Sequence, residues 1–451
     1  MNKRWLQIVL KLILAAVSLS FLAWVIVLPE NRMARKYPHR QEVRFWHMWL
    51  GEWKGVVEKI VNEFNESQDQ YEVVPLSIPG AEADTKFLLS VAGGNPPDVM
   101  AQWNCVIPAW ATRNVIRPLD SFMTPEEFEN FKETCFPVIW KIGEYNSHLY
   151  GLCCGLNVRA LFYRPSHFIE AGLDPERPPK TVSELDAMAE KLTRLGPNKE
   201  IIRAGFVPDI PLFWAPSFGI SYYDESTKEL VIDTPLHLKM LEWCASYRHK
   251  YGLDNIIKFE AAQQSGASGQ LDWPFITGGY SMVLDGQWRV EQISRFAPHL
   301  DYMTAPLPKE DAEGLENAGY SNGNFMIIPT GAKCPEGAWE FMKFWSGISN
   351  PERAALFYTW GGWMPINDSI VNTPVFQEYL AEHPQWKTFV DLLPSENLHV
   401  TPPVYYQNYF IDRLWQMGLR ITKLVETPEE GIKSLVREIE QEKIRLKEWG
   451  D

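Results

Sequence analysis

The stretch Gly319 to Ser346, GYSNGNFMIIPTGAKCPEGAWEFMKFWS, constrains this chain more than any other. Phe325 to Ile328 is a short continuous apolar run between turn residues, the pattern of a strand buried on both faces. Pro329, Thr330 and Gly331 end it. Pro335 then stands at a first helical position with Glu336 beside it, where a missing amide and a negative charge cost least. Ala338, Phe341, Met342 and Trp345 follow at helical spacing. The run therefore reads as loop, buried strand and amphipathic helix, joining two lobes built by the residues before it.

Length supports two lobes, because 451 residues exceed one ordinary core. The formal net charge is −14, and the basic residues are gathered on no one segment, so a nucleic-acid backbone is excluded as a partner. Tryptophan is the unusual component. There are 19, more than packing asks for, and flat aromatic faces are what pyranose rings stack on. Six cysteines (Cys105, Cys135, Cys153, Cys154, Cys244 and Cys334) lack any C-x-x-C spacing, which argues against structural zinc. They read as inert half-buried thiols, with one disulfide in an oxidising compartment as the alternative.

Glu42 to Met48 alternates as a first strand, and Gly51 turns the chain. Trp53, Val56, Val57, Ile60, Val61 and Phe64 recur at helical spacing, and Glu72 to Ile78 is the next strand. Phe87 to Val91 reads as a short helix ended by Gly93-Gly94. Thr181 with Glu184, and Thr427 with Glu430, form capping boxes ahead of later helices, and Tyr280 to Leu284 reads as another strand.

The phrases Ile328-Pro329, Gly331-Ala332-Lys333, Glu336 and Ala338-Trp339-x-Phe341 resemble the strand-to-helix segment of bacterial extracellular solute-binding proteins, family 1. These are the carbohydrate-binding, maltose-binding-protein-like receptors of ABC importers. Similar phrases recur in family order: Tyr150-Gly151-Leu152, Leu161-Phe162-Tyr163-Arg164, Glu170 to Pro175, Pro178 to Thr181, Asp285-Gly286-Gln287-Trp288 and Ala305 to Pro308. The resemblance implies an α/β, two-lobed periplasmic-binding-protein fold, type II-like, each lobe a mixed sheet flanked by helices. It places residues 41–157 plus 325–348 in lobe 1 and 158–324 plus 349–451 in lobe 2, with crossings near Asn157, Asn322 and Gly347. It implies a carbohydrate ligand, ABC permease subunits as partners, a monomer, no cofactor and no catalysis. Crossings without a flexible linker suit hinge closure around a ligand.

Residues 1–40 read as a signal-anchor. Lys3 and Arg4 precede an apolar stretch broken only by Lys11 and uninterrupted from Leu12 to Leu28, approaching the roughly 20 residues of a bilayer span. Ser18-Leu19-Ser20 is a poor cleavage site, so the expectation is an uncleaved helix holding the protein in the cytoplasmic membrane, facing the periplasm or exterior. A cleaved signal and a soluble periplasmic protein is the alternative. No cysteine precedes Cys105, which excludes lipid anchoring through one.

Gly319-Tyr320-Ser321-Asn322-Gly323 matches the G-x-S-x-G nucleophile elbow in letters, but the elbow needs a strand before the serine and a helix after it. Here the strand follows, so a hinge loop is the reading. The nine histidines form no metal-ligand pair, and no metal site is expected. Tyr222-Tyr223 and Tyr405-Tyr406 resemble the adjacent tyrosines of ferric receptors but are read as packing or cleft wall. No phosphate-cradling glycine loop is present. A sugar hydrolase needs two carboxylates opposed across one bond, and nothing else in the sequence argues for one.

The aromatic set points to binding. Trp46 and Trp49 end the first strand, where α/β sheets place ligands, and Trp103 follows a third strand by the same logic. Trp214, Trp273, Trp288, Trp360 and Trp363 stand in or beside loops rich in Gly or Pro. Asn104, Asn157, Asp285 and Asn324 are candidates for hydroxyl-directed hydrogen bonds. Trp49 and Trp288 are expected to be the strongest ligand pair, with Trp214, Trp273 and Trp363 walling the cleft. A receptor for a non-sugar solute, such as a polyol phosphate or metal complex, is the runner-up, and a hydrolase using Ser321 or paired acids is the rival class.

Overall fold

The structure, a computed structural model, describes residues 35–208, 210–264 and 273–448. The expected anchor therefore lies, apart from Arg35–Arg40, outside the described residues. Among the described residues no helix is long and apolar enough to cross a membrane. The segment entering the fold is clasped by the buried Glu72, whose carboxylate accepts from Arg35 Nε at 2.9 Å and from the Tyr37 amide at 2.9 Å.

The first lobe grows from β1 (Gln41–His47), α1 (Gly51–Ser67), β2 (Tyr71–Ser77), α2 (Gly80–Ala92) and β3 (Val99–Trp103). Alternation decides what each face of β1 meets: Val43, Phe45 and His47 are buried, while Arg44 and Trp46 point the other way. The helix expected at Phe87–Val91 starts a full two turns earlier, at Gly80. After a long excursion β4 (Leu152–Asn157) completes one side of the lobe, and a single residue, Val158, separates it from β5 (Arg159–Tyr163) in the second sheet. β6 (Met282–Gly286), α3 (Trp288–Phe296) and β7 (Met303–Ala305) follow. The chain returns with β8 (Asn322–Ile327) and α4 (Pro335–Ser346), and then adds α5 (Pro351–Gly361), α6 (Gln407–Thr422) and α7 (Pro428–Glu448).

The first sheet has strand order β2-β1-β3-β8-β4, with β1, β2 and β3 parallel and β8 antiparallel to both neighbours. The second has order β6-β5-β7, antiparallel throughout. The opening run is thus a buried central strand of lobe 1 followed by a helix with Pro335 as its first residue, as its pattern requires. Thr427 and Glu430 make a reciprocal capping box, each backbone amide bonded to the other's side chain. At Thr181 the side chain caps the Glu184 amide, but the Glu184 carboxylate bonds the Lys180 amide instead.

Val158 is the one residue between β4 and β5, and Ser321 immediately precedes β8. α5 packs on lobe 1, where Trp53 Nε1 of α1 donates to Gly361 O at 3.1 Å and Phe357 meets Phe344 of α4. The chain passes between lobes only beyond it, near Met364, which bridges to Leu156. Gly347, near which the sequence expects a crossing, is the left-handed cap of α4, and a glycine cap looks the same whether or not the chain then changes lobe.

Candidate functional site

The cleft chemistry begins at the first crossing. Arg159 opens β5 opposite Gly286, the last residue of β6. Its guanidinium lies 3.7 Å from the centre of the Phe213 ring and 5.5 Å from that of Trp288. Trp288 folds back over Gly286 so closely that any side chain there would collide with the indole. Phe213 in turn meets Tyr320 at 5.7 Å and the edge of Trp415 at 6.3 Å. Trp415 rides on α6, which lies against the Asn104–Val106 turn of lobe 1.

On lobe 1, Trp103 immediately precedes that turn, and Asp84 is bonded to its neighbour Gln102. Trp103, at the end of β3, and Trp415 are each 37% exposed, the two most open indoles among the described residues. Gln102 accepts from the Trp103 amide and donates from Nε2 to Asp84 Oδ1 at 2.6 Å, fixing its own orientation. Burial raises the Asp84 carboxyl above its ordinary range, against the Gln102 hydrogen bond that lowers it. Asn104 Oδ1 accepts from the Gly323 amide at 3.1 Å, which pins this turn to β8. Aromatic faces, a stacked guanidinium and a carboxylate with spare lone pairs can together hold a polyhydroxylated ring without reacting with it.

Several expected site residues lie elsewhere. Trp49 and Trp363 are buried with Trp345 in one stack, centroids 5.2 to 5.8 Å apart, and Trp363 lies flat over Gly155. Trp49 continues the parity of Val43, Phe45 and His47 into the core, so the end of the strand turns it inward rather than toward a ligand. Trp214 is fully buried between Phe206 and Trp243; its neighbour Phe213, also buried, turns instead to Arg159 and Tyr320. Trp273 and Asp285 occupy the opposite face of the second sheet from Trp288. Arg289 covers Trp273 at 4.6 Å and pairs with Asp285 at 2.8 Å, consuming both. Trp360 lies on α5 beneath the Lys59 ammonium, 3.2 Å from its ring centre. Trp46 is half-buried on the α2 face of the first sheet, opposite Leu76 and Met100. Asn324 donates to Met48 Sδ at 3.3 Å, and Asn157 is buried at the hinge.

Ser321 is no nucleophile: it is fully buried, and its hydroxyl donates to Asn157 O at 2.8 Å. Tyr222 packs against His237 and Phe410, and Tyr405 against Tyr406. Among the described residues no cluster of three or more His, Cys, Asp or Glu could hold a metal. Burial pushes the Cys105 and Cys135 thiols up to about 12, so they are protonated and inert at neutral pH.

The family of bacterial extracellular solute-binding proteins matches residues 59–384, well over half the chain. The chain belongs to this family. Among relatives of this solute-binding protein, the maltotriose-binding protein of Pyrococcus abyssi is 24% identical over 74% of this chain and 68% of its own. The sn-glycerol-3-phosphate-binding periplasmic protein UgpB of Salmonella paratyphi A is 22% identical over 87% of this chain and 88% of its own. Among solved structures, CpMnBP1 with mannotriose bound is 28% identical, covers 88% of this chain and all of its own, and has a TM-score of 0.76. The sugar-binding protein MalE from Xanthomonas citri, 21% identical with a TM-score of 0.73 over 91% of this chain and all of its own, shares the two-lobed fold.

Sequence reading missed Arg159, Phe213, Trp415 and Asp84. Only Phe213 carried a signal, as the alternative to Trp214 within one turn. An arginine opening a strand, a tryptophan in mid-helix and an aspartate early in a helix have ordinary structural uses, and only the fold sets Arg159 and Trp415 on the same Phe213 ring.

Proposed function

We propose that this protein is the extracytoplasmic receptor of an ABC importer, binding a carbohydrate between its lobes and delivering it to the permease. It performs no chemistry on the ligand and needs no cofactor. The observation that carries this reading is the grouping of Arg159, Phe213, Trp288 and Trp415 beside the first crossing, the last on a helix that lies against the lobe 1 turn next to the exposed Trp103, in a chain whose relatives include a maltotriose-binding protein and a mannotriose-bound one. Aromatic faces take the C–H faces of a sugar, and Asp84 accepts from its hydroxyls. The glycerol-phosphate relatives suggest an anionic ligand, but a phosphate wants several converging donors. Here the guanidinium of the group lies over the rings of Phe213 and Trp288. The apolar segment Leu12 to Leu28 holds the receptor, as a monomer, on the outer face of the cytoplasmic membrane.

Titration calorimetry with mannotriose, maltotriose and sn-glycerol 3-phosphate tests the reading. Binding of a neutral oligosaccharide with no turnover is expected. Tight binding of the phosphate alone would overturn it.

A further inference from the structure

Gln287 stands between the end of β6 and the start of α3, one residue before Trp288, and it is completely buried. It holds both backbone groups of Val158, the lone residue of the first crossing: its amide donates to Val158 O at 3.3 Å, and its Oε1 accepts from Val158 N at 3.0 Å. Its Nε2 lies within hydrogen-bond distance of three oxygens: Leu156 O at 3.1 Å, Asn157 Oδ1 at 3.3 Å and Gly362 O at 3.3 Å. Leu156 and Asn157 end β4, while Gly362 leads into the third crossing. The second crossing is tied to the same knot, because Ser321 donates to Asn157 O.

We propose that Gln287 is the pivot of the inter-lobe hinge, a positioning residue that trades acceptors among the crossings as the lobes rotate. Two N–H bonds serve three acceptors, so one is always shared. When rotation lengthens the contact to one crossing, the shared N–H closes on another, and no buried polar group is left unmet. The hinge can therefore move while its centre stays dry and bonded. Gly362 fits this use: it has a left-handed φ of 65°, and a side chain there would strike Glu291 of α3, so chain and helix slide past each other backbone to backbone. Because Gln287 precedes Trp288 directly, a ligand that presses on the indole acts on the pivot without an intermediate. This last step rests on the receptor reading; the pivot itself does not.

The test begins without ligand. Spin labels on Glu63→Cys of α1 and Lys191→Cys of lobe 2 report the inter-lobe distance distribution by pulsed electron resonance. Gln287→Met keeps length and burial but removes the bonds, and it should broaden the distribution. Gln287→Glu sets a carboxylate against three oxygens and should broaden it further. Affinity for the best oligosaccharide should fall several-fold, as the binding-competent fraction falls. An unchanged distribution with a lowered melting temperature would make Gln287 mere packing and overturn the proposal. If Gln287→Met fails to fold, Asn157→Ala, which deletes the spare acceptor, must narrow the distribution by itself, and an unchanged or broader width there overturns the proposal equally. If no oligosaccharide binds but the distribution broadens, the receptor reading fails and the pivot stands.

Discussion

Two groups of tryptophan in this molecule use the same side chain for opposite ends. Trp49, Trp345 and Trp363 face one another behind the first sheet, and Trp345 Nε1 is satisfied by Cys154 O at 3.0 Å. Their faces are spent on each other. Trp288 and Phe213 instead lie under the Arg159 guanidinium, and Trp103 and Trp415 keep part of their rings open. The difference lies in what the backbone sets opposite each ring. Glycines at 155 and 361 let Trp363 lie down flat in the core, whereas Gly286 lets Trp288 lie down at the cleft.

The contrast breaks most visibly in the buried stack. Trp345→Ala should cost roughly 3–5 kcal/mol of stability through the cavity and the lost hydrogen bond, leaving affinity per folded molecule unchanged. Denaturant unfolding beside calorimetry reads both quantities, and a matching loss of affinity would erase the distinction drawn between the groups.

Trp288→Ala should do the reverse, removing on the order of 2 kcal/mol of binding with little change in melting temperature. Unaltered affinity in that variant would place Trp288 with the core tryptophans.

Acid separates the groups without any change at the ligand. Burial, helped by the Lys54 charge, lowers His47 to about 4 from an unfolded value of 6.5. Below pH 6.5 the unfolded chain therefore binds the extra proton and the folded one does not. Stability from this residue is complete above 6.5 and is lost as pH falls toward 4. His47→Phe, which keeps the ring beside Phe45 and Trp49, should recover on the order of 1–2 kcal/mol at pH 4.5 relative to its effect at pH 7. Parallel pH profiles of the two proteins would rule this out.

The smallest effect is expected at Arg159. Replacement by lysine keeps the charge but loses the flat stack on Phe213 and Trp288, costing about 0.5–1 kcal/mol of affinity. A loss of several kcal/mol would mean that the guanidinium bonds the ligand directly rather than serving as a platform.

The sequence by itself determined the elements and the way they assemble. The apolar run at Phe325–Ile328, the Pro335 helix start, the alternation of β1 and the ordered family phrases are local patterns, and backbone bonding with burial reads such patterns directly. They are enough for the two-lobed fold. Trp49 was legible as core from its parity with Val43 and Phe45, had alternation been carried past the end of the strand. Other assignments needed the tertiary structure. Trp273 and Asp285 look like cleft residues until Arg289, folded back from the next helix, takes both. Trp360 looks open until Lys59, some three hundred residues away, covers it. Arg159 and Trp415 carry no mark until distant segments bring both to Phe213. A side chain's exposure and partners depend on what folds against it, and in this chain those partners come mostly from another segment.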